Sequence, residues 1–473
     1  MIRLHRSHFT ILAVLYVLAM IYSSLILGPA GLHYVPISLG EAWDKFLSIR
    51  YMDNGSNQRA DWMGNLLMAV PLSFLVNSAV HRGGRTPGFA GAMISLLIAA
   101  VVILAIKYAQ LFFPPRTVTL NYITAQAIGA VLGVILFRWS KTSSLRGRLI
   151  RKAEAGEGLT VVLAVYTAFL FAFVLMPFDL VLSEGDLLSR ALQVAQTLFS
   201  LPGEGRAPSM RVVLLIVDTL AAAPVGMFLA VRGRKRSTFR LLLRAFWLMV
   251  LMTLLQVFVM SADVYLASIA YRTLGAYLGI RFIARIHGKD LRKRHYYFSQ
   301  YVPLAAVLYV LAVIYISELF SSEWIGFDEA MNILEPRQLL PFWNFYIVSK
   351  AQATASVVAH LAIFAPIGVM VWLRRGFWGR GATFSASLAF ALSMLMEIGR
   401  WLKPDFRPDF SDPIIAAIGA AVAFKAMPYL WRMFEHEATM SGTLDSYIEQ
   451  HYGTAAPAGP VVPDEAESSA PMA

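Results

Sequence analysis

Six polar residues recur at fixed spacings inside or at the ends of apolar stretches. Asn65, Asp218 and His360 each stand six residues before a proline: Pro71, Pro224 and Pro366. Gln110, Gln256 and Arg400 each stand nineteen residues before a glycine: Gly129, Gly275 and Gly419. A charged group in an apolar medium costs several kcal/mol unless it is paired or protonated, so such groups are candidates for binding or proton handling. The last set is the most charged. Glu397 and Arg400 are three apart, hence on one helix face. Arg407 and Asp412 follow in the next turn. Arginine offers bidentate donors to a phosphate or carboxylate, and His360, Glu397 and Asp412 are residue types that carry protons. The competing reading is a self-neutralising ion network that caps two helix ends. The corresponding turn holds Arg116 in the first set and Asp263 in the second. Asp218 has two candidate structural partners, Gln256 and Arg272.

The elements that hold these residues follow from composition. Hydrophobic residues make up 58% of the chain and charged residues 15%, and mean hydropathy is +0.59. A soluble domain carries about 25% charged residues, so lipid is the expected solvent. Apolar runs near 20 residues long, enough to cross a bilayer core of about 30 Å, recur along the chain. They predict an all-α polytopic membrane protein of about twelve transmembrane helices. Arg3 and Arg6 before the apolar run 9–28 could mark a signal peptide, but the run is long and lacks a clear cleavage site, so an uncleaved first span is expected.

The fixed spacings group the twelve spans into three tandem four-helix modules that recur about every 145 residues. Their expected extents are 1–140, 155–285 and 300–433, with a disordered cytoplasmic tail over 434–473. Basic clusters fall in every second connection, at Arg82/Arg85, 138–152, 232–244, 281–294 and 374–380, while most acids fall in the others. Lysine and arginine bias places both termini in the cytoplasm and the repeated polar residues in the outer half of the membrane. The net charge of +12 is then a topology signal with anionic lipid as its partner, and no nucleic acid is expected. Each glycine opens a small-xxx-small step (Gly129/Gly133, Gly275/Gly279, Gly419/Ala423), the pattern that lets membrane helices approach closely. There are no cysteines, no phosphate loop, and no HExxH or Gly-x-Ser-x-Gly motif placed for chemistry. No metal and no cofactor is expected.

These motifs resemble the VanZ-like family of bacterial membrane proteins, named for a protein associated with teicoplanin resistance. In the last module the segment Gln338-Leu339-Leu340-Pro341-Phe342 stands where the family has an Asn-Leu-x-Pro-Phe-like run. His360, Pro366 and Gly368 match its polar-x5-Pro-x-Gly span. Glu397, Arg407, Asp412 and Gly419 match its last motif, with Arg400 in place of Gln and Ala416 in place of Asn. The first module matches at Asn65, Pro71, Gln110, Arg116 and Gly129, and the second at Pro224, Gly226, Gln256 and Gly275. The resemblance implies a multi-pass protein of the bacterial inner membrane, and it supplies a fold more than a reaction.

Three functions fit. The favoured one is a non-enzymatic envelope protein that binds a lipid, lipid-linked or lipoglycopeptide head group at the outer half of the membrane and confers antibiotic or envelope-stress tolerance. A repeat-built transporter or lipid flippase is the second. An intramembrane hydrolase or transferase acting on a phospholipid-type substrate is the third.

Overall fold

In the computed structural model the described residues are 6–26, 34–51, 56–81, 88–114, 118–142, 157–176, 178–181, 183–202, 208–233, 236–286, 291–317, 319, 323–347, 350–376, 379–404 and 409–452. They are almost wholly helical. The strand-like element among them is one antiparallel bridge, Leu180 with Val259.

The helices fall into three groups. The N-terminal group comprises α1 (Arg6–Ile21), α2 (Leu39–Leu47), α3 (Ser56–Val80), α4 (Phe89–Gln110) and α5 (Leu120–Thr142). The middle group comprises α6 (Gly158–Val174), α7 (Glu184–Thr197), α8 (Pro208–Arg232), α9 (Thr238–Val257) and α10 (Leu266–Ile286). The C-terminal group comprises α11 (Leu291–Ile316), α12 (Phe327–Ile333), α13 (Trp343–Ile347), α14 (Lys350–Arg375), α15 (Gly381–Trp401) and α16 (Asp412–Tyr452).

Among the described residues, ten helices are long and apolar enough to cross a membrane. Two others sit where the fifth and eighth spans are expected. One is α6, which is shorter at Gly158–Val174. The other is α10, whose Arg272, Arg281 and Arg285 dilute its apolar character. The chain is a multi-pass membrane protein. Its helices turn leucine, isoleucine and valine outward, as at Leu97, Val101, Leu304 and Leu311. In water such an apolar surface would be a liability, and in lipid it costs nothing.

Close contact between the second and fourth long helices organises each group, as α3 packs on α5, α8 on α10 and α14 on α16. Gly129, Gly275 and Gly419 make this possible. A Cβ on any of them would come closer than 3.0 Å to a backbone carbonyl of the facing helix: Leu66, Thr219 and Leu361 respectively. Each of these carbonyls belongs to the residue just after Asn65, Asp218 or His360.

The prolines lie within continuous helices α3, α8 and α14. A proline lacks its own N–H and disturbs the bonding of the preceding turn. In every group a tyrosine from the first long helix donates to the carbonyl three residues before the proline. Tyr16 bonds Met68 at 2.8 Å, Tyr166 bonds Ala221 at 2.9 Å and Tyr309 bonds Ile363 at 2.9 Å.

A third contact recurs outside the long helices. The backbone N–H of Val35 bonds Phe112 O at 2.9 Å, that of Val181 bonds Phe258 O at 3.0 Å, and that of Ile325 bonds Leu402 O at 3.0 Å. Each pair is 77 residues apart. These bonds pin the connection between the first and second long helices to the end of the third. Ser38 caps α2, and a Ser183/Asp186 capping box starts α7. Each satisfies backbone donors that a helix start leaves open.

The groups also touch one another. Arg59 donates to Asp186 at 2.6 Å and to Leu180 O at 3.0 Å, joining the N-terminal and middle groups. Tyr22 donates to Pro341 O at 2.7 Å, joining the N-terminal and C-terminal groups. The middle and C-terminal groups meet along α16, which differs from the sequence expectation. The helix does not stop near 431 but runs to Tyr452, so the described part of the expected disordered tail is helical. Burial explains this. Phe434 and Ala438 pack into the middle group's core, Met433 lies against Gly158, and Glu437 is only 3% exposed. Residues 453–473 lie outside the described residues.

The glycine contacts lead to a signed prediction. Gly275→Ala forces α8 and α10 apart and should cost about 1–3 kcal/mol, read as an earlier thermal unfolding transition of the detergent-solubilised chain. Gly91→Ala, where nothing lies within 4 Å, should leave that transition unchanged or raise it slightly.

Candidate functional site

Glycine packing sets the register of each group, so the repeated polar residues meet partners at matching positions. In the N-terminal group Asn65 accepts from Gln126 Nε2 at 3.0 Å and donates to Asp61 O at 2.8 Å. Gln110 Nε2 donates to Ser24 O at 3.2 Å. Lys107, one turn before Gln110, is buried with its ammonium 5.5 Å from the Tyr122 ring centroid. In the middle group Arg272 Nε donates to Asp218 at 2.6 Å, and its NH1 donates to Gln256 Oε1 at 3.0 Å. Both partners foreseen for Asp218 are therefore in one cluster, with the arginine bridging them.

The C-terminal group holds the largest cluster. His360 Nε2 lies 2.9 Å from Asp412 Oδ2, and Arg400 NH1 lies 2.8 Å from Glu397 Oε1 and 4.0 Å from Asp412 Oδ2. Glu397 Oε2 also accepts the backbone N–H of Asp409 at 2.8 Å. The carboxylates are deeply buried, with Glu397 and Asp412 side chains 3% and 6% exposed. His360 and Arg400 keep 21% and 28% of their surface, so the donors form the accessible side. The other ring nitrogen of His360, Nδ1, lies 2.9 Å from Ser356 O. A carbonyl can only accept, so Nδ1 carries a hydrogen. The Nε2–Asp412 contact then needs a proton of its own, on imidazolium or carboxyl. Both ring nitrogens are thus engaged.

Below this cluster Asp409 Oδ1 accepts from Ser411 N at 2.8 Å. Ser411 Oγ accepts the N–H of Phe342, whose φ of 66° is in the region non-glycine residues seldom adopt. The Gln338–Phe342 segment is thereby tied to the site.

The contacts given above for each cluster join residues of one group. Asp218 and His360 each pair with the fourth long helix of their own group, and His360 also bonds Ser356 on its own helix. Arg116 and Arg407 lie outside the described residues. Among those described, no group of His, Asp and Glu is placed to hold a metal ion.

Sequence reasoning missed Arg190. Its side chain is 1% exposed, and its guanidinium donates to the carbonyls of Gln256, Val257, Met260 and Ala262 and to Gln193 Oε1. It holds the C-terminal end of α9, whose last-turn carbonyls have no intrahelical partner. Asp179 adds a bond to Ser261 N at 3.1 Å. Burial pushes the Asp179 carboxyl above its usual range and the Arg190 guanidinium below its own. The available signal was a basic residue in a connection otherwise rich in acids. The three tyrosines were also missed, since they precede their prolines by 55, 58 and 57 residues and no single spacing marks them.

Residues 9–141 match the VanZ/LLP1 family model, so this stretch is VanZ-like. The match covers the N-terminal group, whereas the motifs read from the sequence are most complete in the C-terminal one. No curated protein and no solved structure matches the chain.

Two predictions follow from the pairing. Arg272→Leu strands Asp218 and should cost about 3 kcal/mol, whereas Asp218→Leu with Arg272→Leu should cost less than that single change. A double-mutant cycle of unfolding in mixed detergent measures both. The second concerns Asp409, whose carboxyl is raised from the usual value chiefly by burial, with the charge of Asp412 adding to it. A raised carboxyl favours folding when protonated, and that contribution is lost as pH climbs through the raised value. Asp409→Asn should therefore lessen the fall in thermal stability as pH rises out of the acidic range.

Proposed function

We propose that this VanZ-like membrane protein is a non-enzymatic component of the bacterial inner membrane that binds the head group of a lipid, lipid-linked or lipoglycopeptide molecule. The chain is taken as three tandem modules, with the polar clusters toward the outer half of the membrane. The recurring glycine, tyrosine and backbone contacts support the module reading, and the alternation of basic and acidic connections supports the orientation. Binding centres on the C-terminal cluster. The observation that carries it is the split in exposure, with buried Glu397 and Asp412 behind half-buried His360 and Arg400. Glu397 fixes the Arg400 guanidinium and Asp412 fixes His360 beside it, so the guanidinium is the charged donor turned toward whatever enters. Charged donors so held make stronger hydrogen bonds to phosphate, carboxylate or sugar oxygens than neutral ones.

A hydrolase or transferase would need a base with a free lone pair. Both nitrogens of His360 are engaged, which favours binding over reaction. The one-sided placement of the polar groups favours it over transport, where midplane groups and access from both faces are the rule.

The reading predicts that producing the chain in a susceptible bacterium raises the inhibitory concentration of teicoplanin or of other envelope-active agents. Arg400→Ala and His360→Ala should abolish that protection at unchanged protein abundance. Unaltered sensitivity to every agent, or loss of protection only through loss of protein, would sink it.

A further inference from the structure

The N-terminal group contains a feature that a closed, self-paired cluster would lack. Its amide orientations are fixed by neighbours. Asn65 Nδ2 donates to a carbonyl, so its Oδ1 must be the acceptor for Gln126 Nε2. Gln110 Nε2 also donates to a carbonyl. In each glutamine the amide oxygen is therefore directed away from that bond. Gln126 Oε1 and Gln110 Oε1 are buried and accept no hydrogen bond among the described residues. Their residues are 3% and 8% exposed. A buried polar atom left unpaired is costly.

The middle group shows what fills the equivalent place. Asn65, Lys107, Gln110 and Gln126 correspond in register to Asp218, Thr253, Gln256 and Arg272. There the Arg272 guanidinium spans Asp218, Gln256 and Thr253, at 2.6, 3.0 and 3.5 Å. The middle group supplies a donor that spans its slot, whereas in the N-terminal group no described residue donates to the two glutamine oxygens. We infer that the slot of the N-terminal group is a binding site whose two glutamine oxygens accept hydroxyl groups of an uncharged, hydroxyl-rich head group, the chemistry of a glycolipid. The Lys107 ammonium near Tyr122 disfavours a cationic head group such as ethanolamine or choline. The half-buried pair Asp61 and Tyr122, 3.4 Å apart and one turn outward from Asn65, forms the entrance. The inference rests on the three-module reading but not on the C-terminal cluster.

The test titrates delipidated full-length protein with a glycosyl diacylglycerol and with phosphatidylcholine of the same acyl chains, followed by native mass spectrometry. Wild type should prefer the glycolipid about tenfold. The variant Asn65→Asp/Lys107→Thr/Gln126→Arg copies the middle group's set, since Gln110 already matches Gln256. It should keep the wild-type melting temperature and lose the preference. If it fails to fold, Gln126→Met alone should reduce the preference. Arg400→Ala, which disables the C-terminal cluster, should retain it. Equal binding of the two lipids by wild type would overturn the inference, because ordered water would then be serving the oxygens. A preference lost in Arg400→Ala but kept on changing Gln126 would overturn it too, by assigning the binding to the C-terminal cluster.

Discussion

The repeated polar clusters of this membrane-embedded chain depend on one steric fact, the touching of two helix backbones at a glycine. Gly129, Gly275 and Gly419 lie against the carbonyls of Leu66, Thr219 and Leu361. No side chain fits between, so the two helices cannot slide without collision. The residue before each of those carbonyls is then held at a fixed height against the fourth long helix. Polar groups in lipid require this fixity. A hydrogen bond formed at the wrong height leaves two unsatisfied groups where no water can reach them.

Within that frame the pairings are complementary rather than conserved. Asn65 accepts from Gln126 and Asp218 accepts from Arg272, so in two groups the second long helix supplies the acceptor. In the C-terminal group the polarity is reversed, with His360 facing Asp412. The partner on the fourth helix also moves by one turn, from 126 and 272 to the position equivalent to 122 and 268. The backbone geometry tolerates either solution because a side chain can reach across from adjacent turns. What it does not tolerate is a missing partner, and this gives the two unpaired glutamine oxygens of the N-terminal group their weight.

Much of this was legible in the residues. Proline and glycine have few reasons to recur at a fixed spacing in apolar helices, so their positions pointed to the bent second helix and the tight second–fourth contact. Polar side chains within apolar runs pointed to the clusters. The pairing itself was less legible: Arg272 was one of two candidates for Asp218, and the His360–Asp412 contact crosses 52 residues of sequence that no local rule links. Arg190 and the three tyrosines were not read at all, because both act on backbone carbonyls, which every residue has. The helical continuation past 431 was hidden for a similar reason. Its polar composition suits disorder, and only the docking of Phe434 and Ala438 on another part of the fold reverses that expectation.

The length of α16 has a mechanical consequence. At about 1.5 Å per residue, its 41 residues extend roughly 60 Å, twice the bilayer core of about 30 Å. One end begins at Asp412, among the charged side chains of the C-terminal cluster, and Met433 and Phe434 rest against the middle group further along. One continuous helix therefore ties the charged cluster at Asp412 to the core of the middle group, so the two are held at a fixed spacing along a single run of backbone.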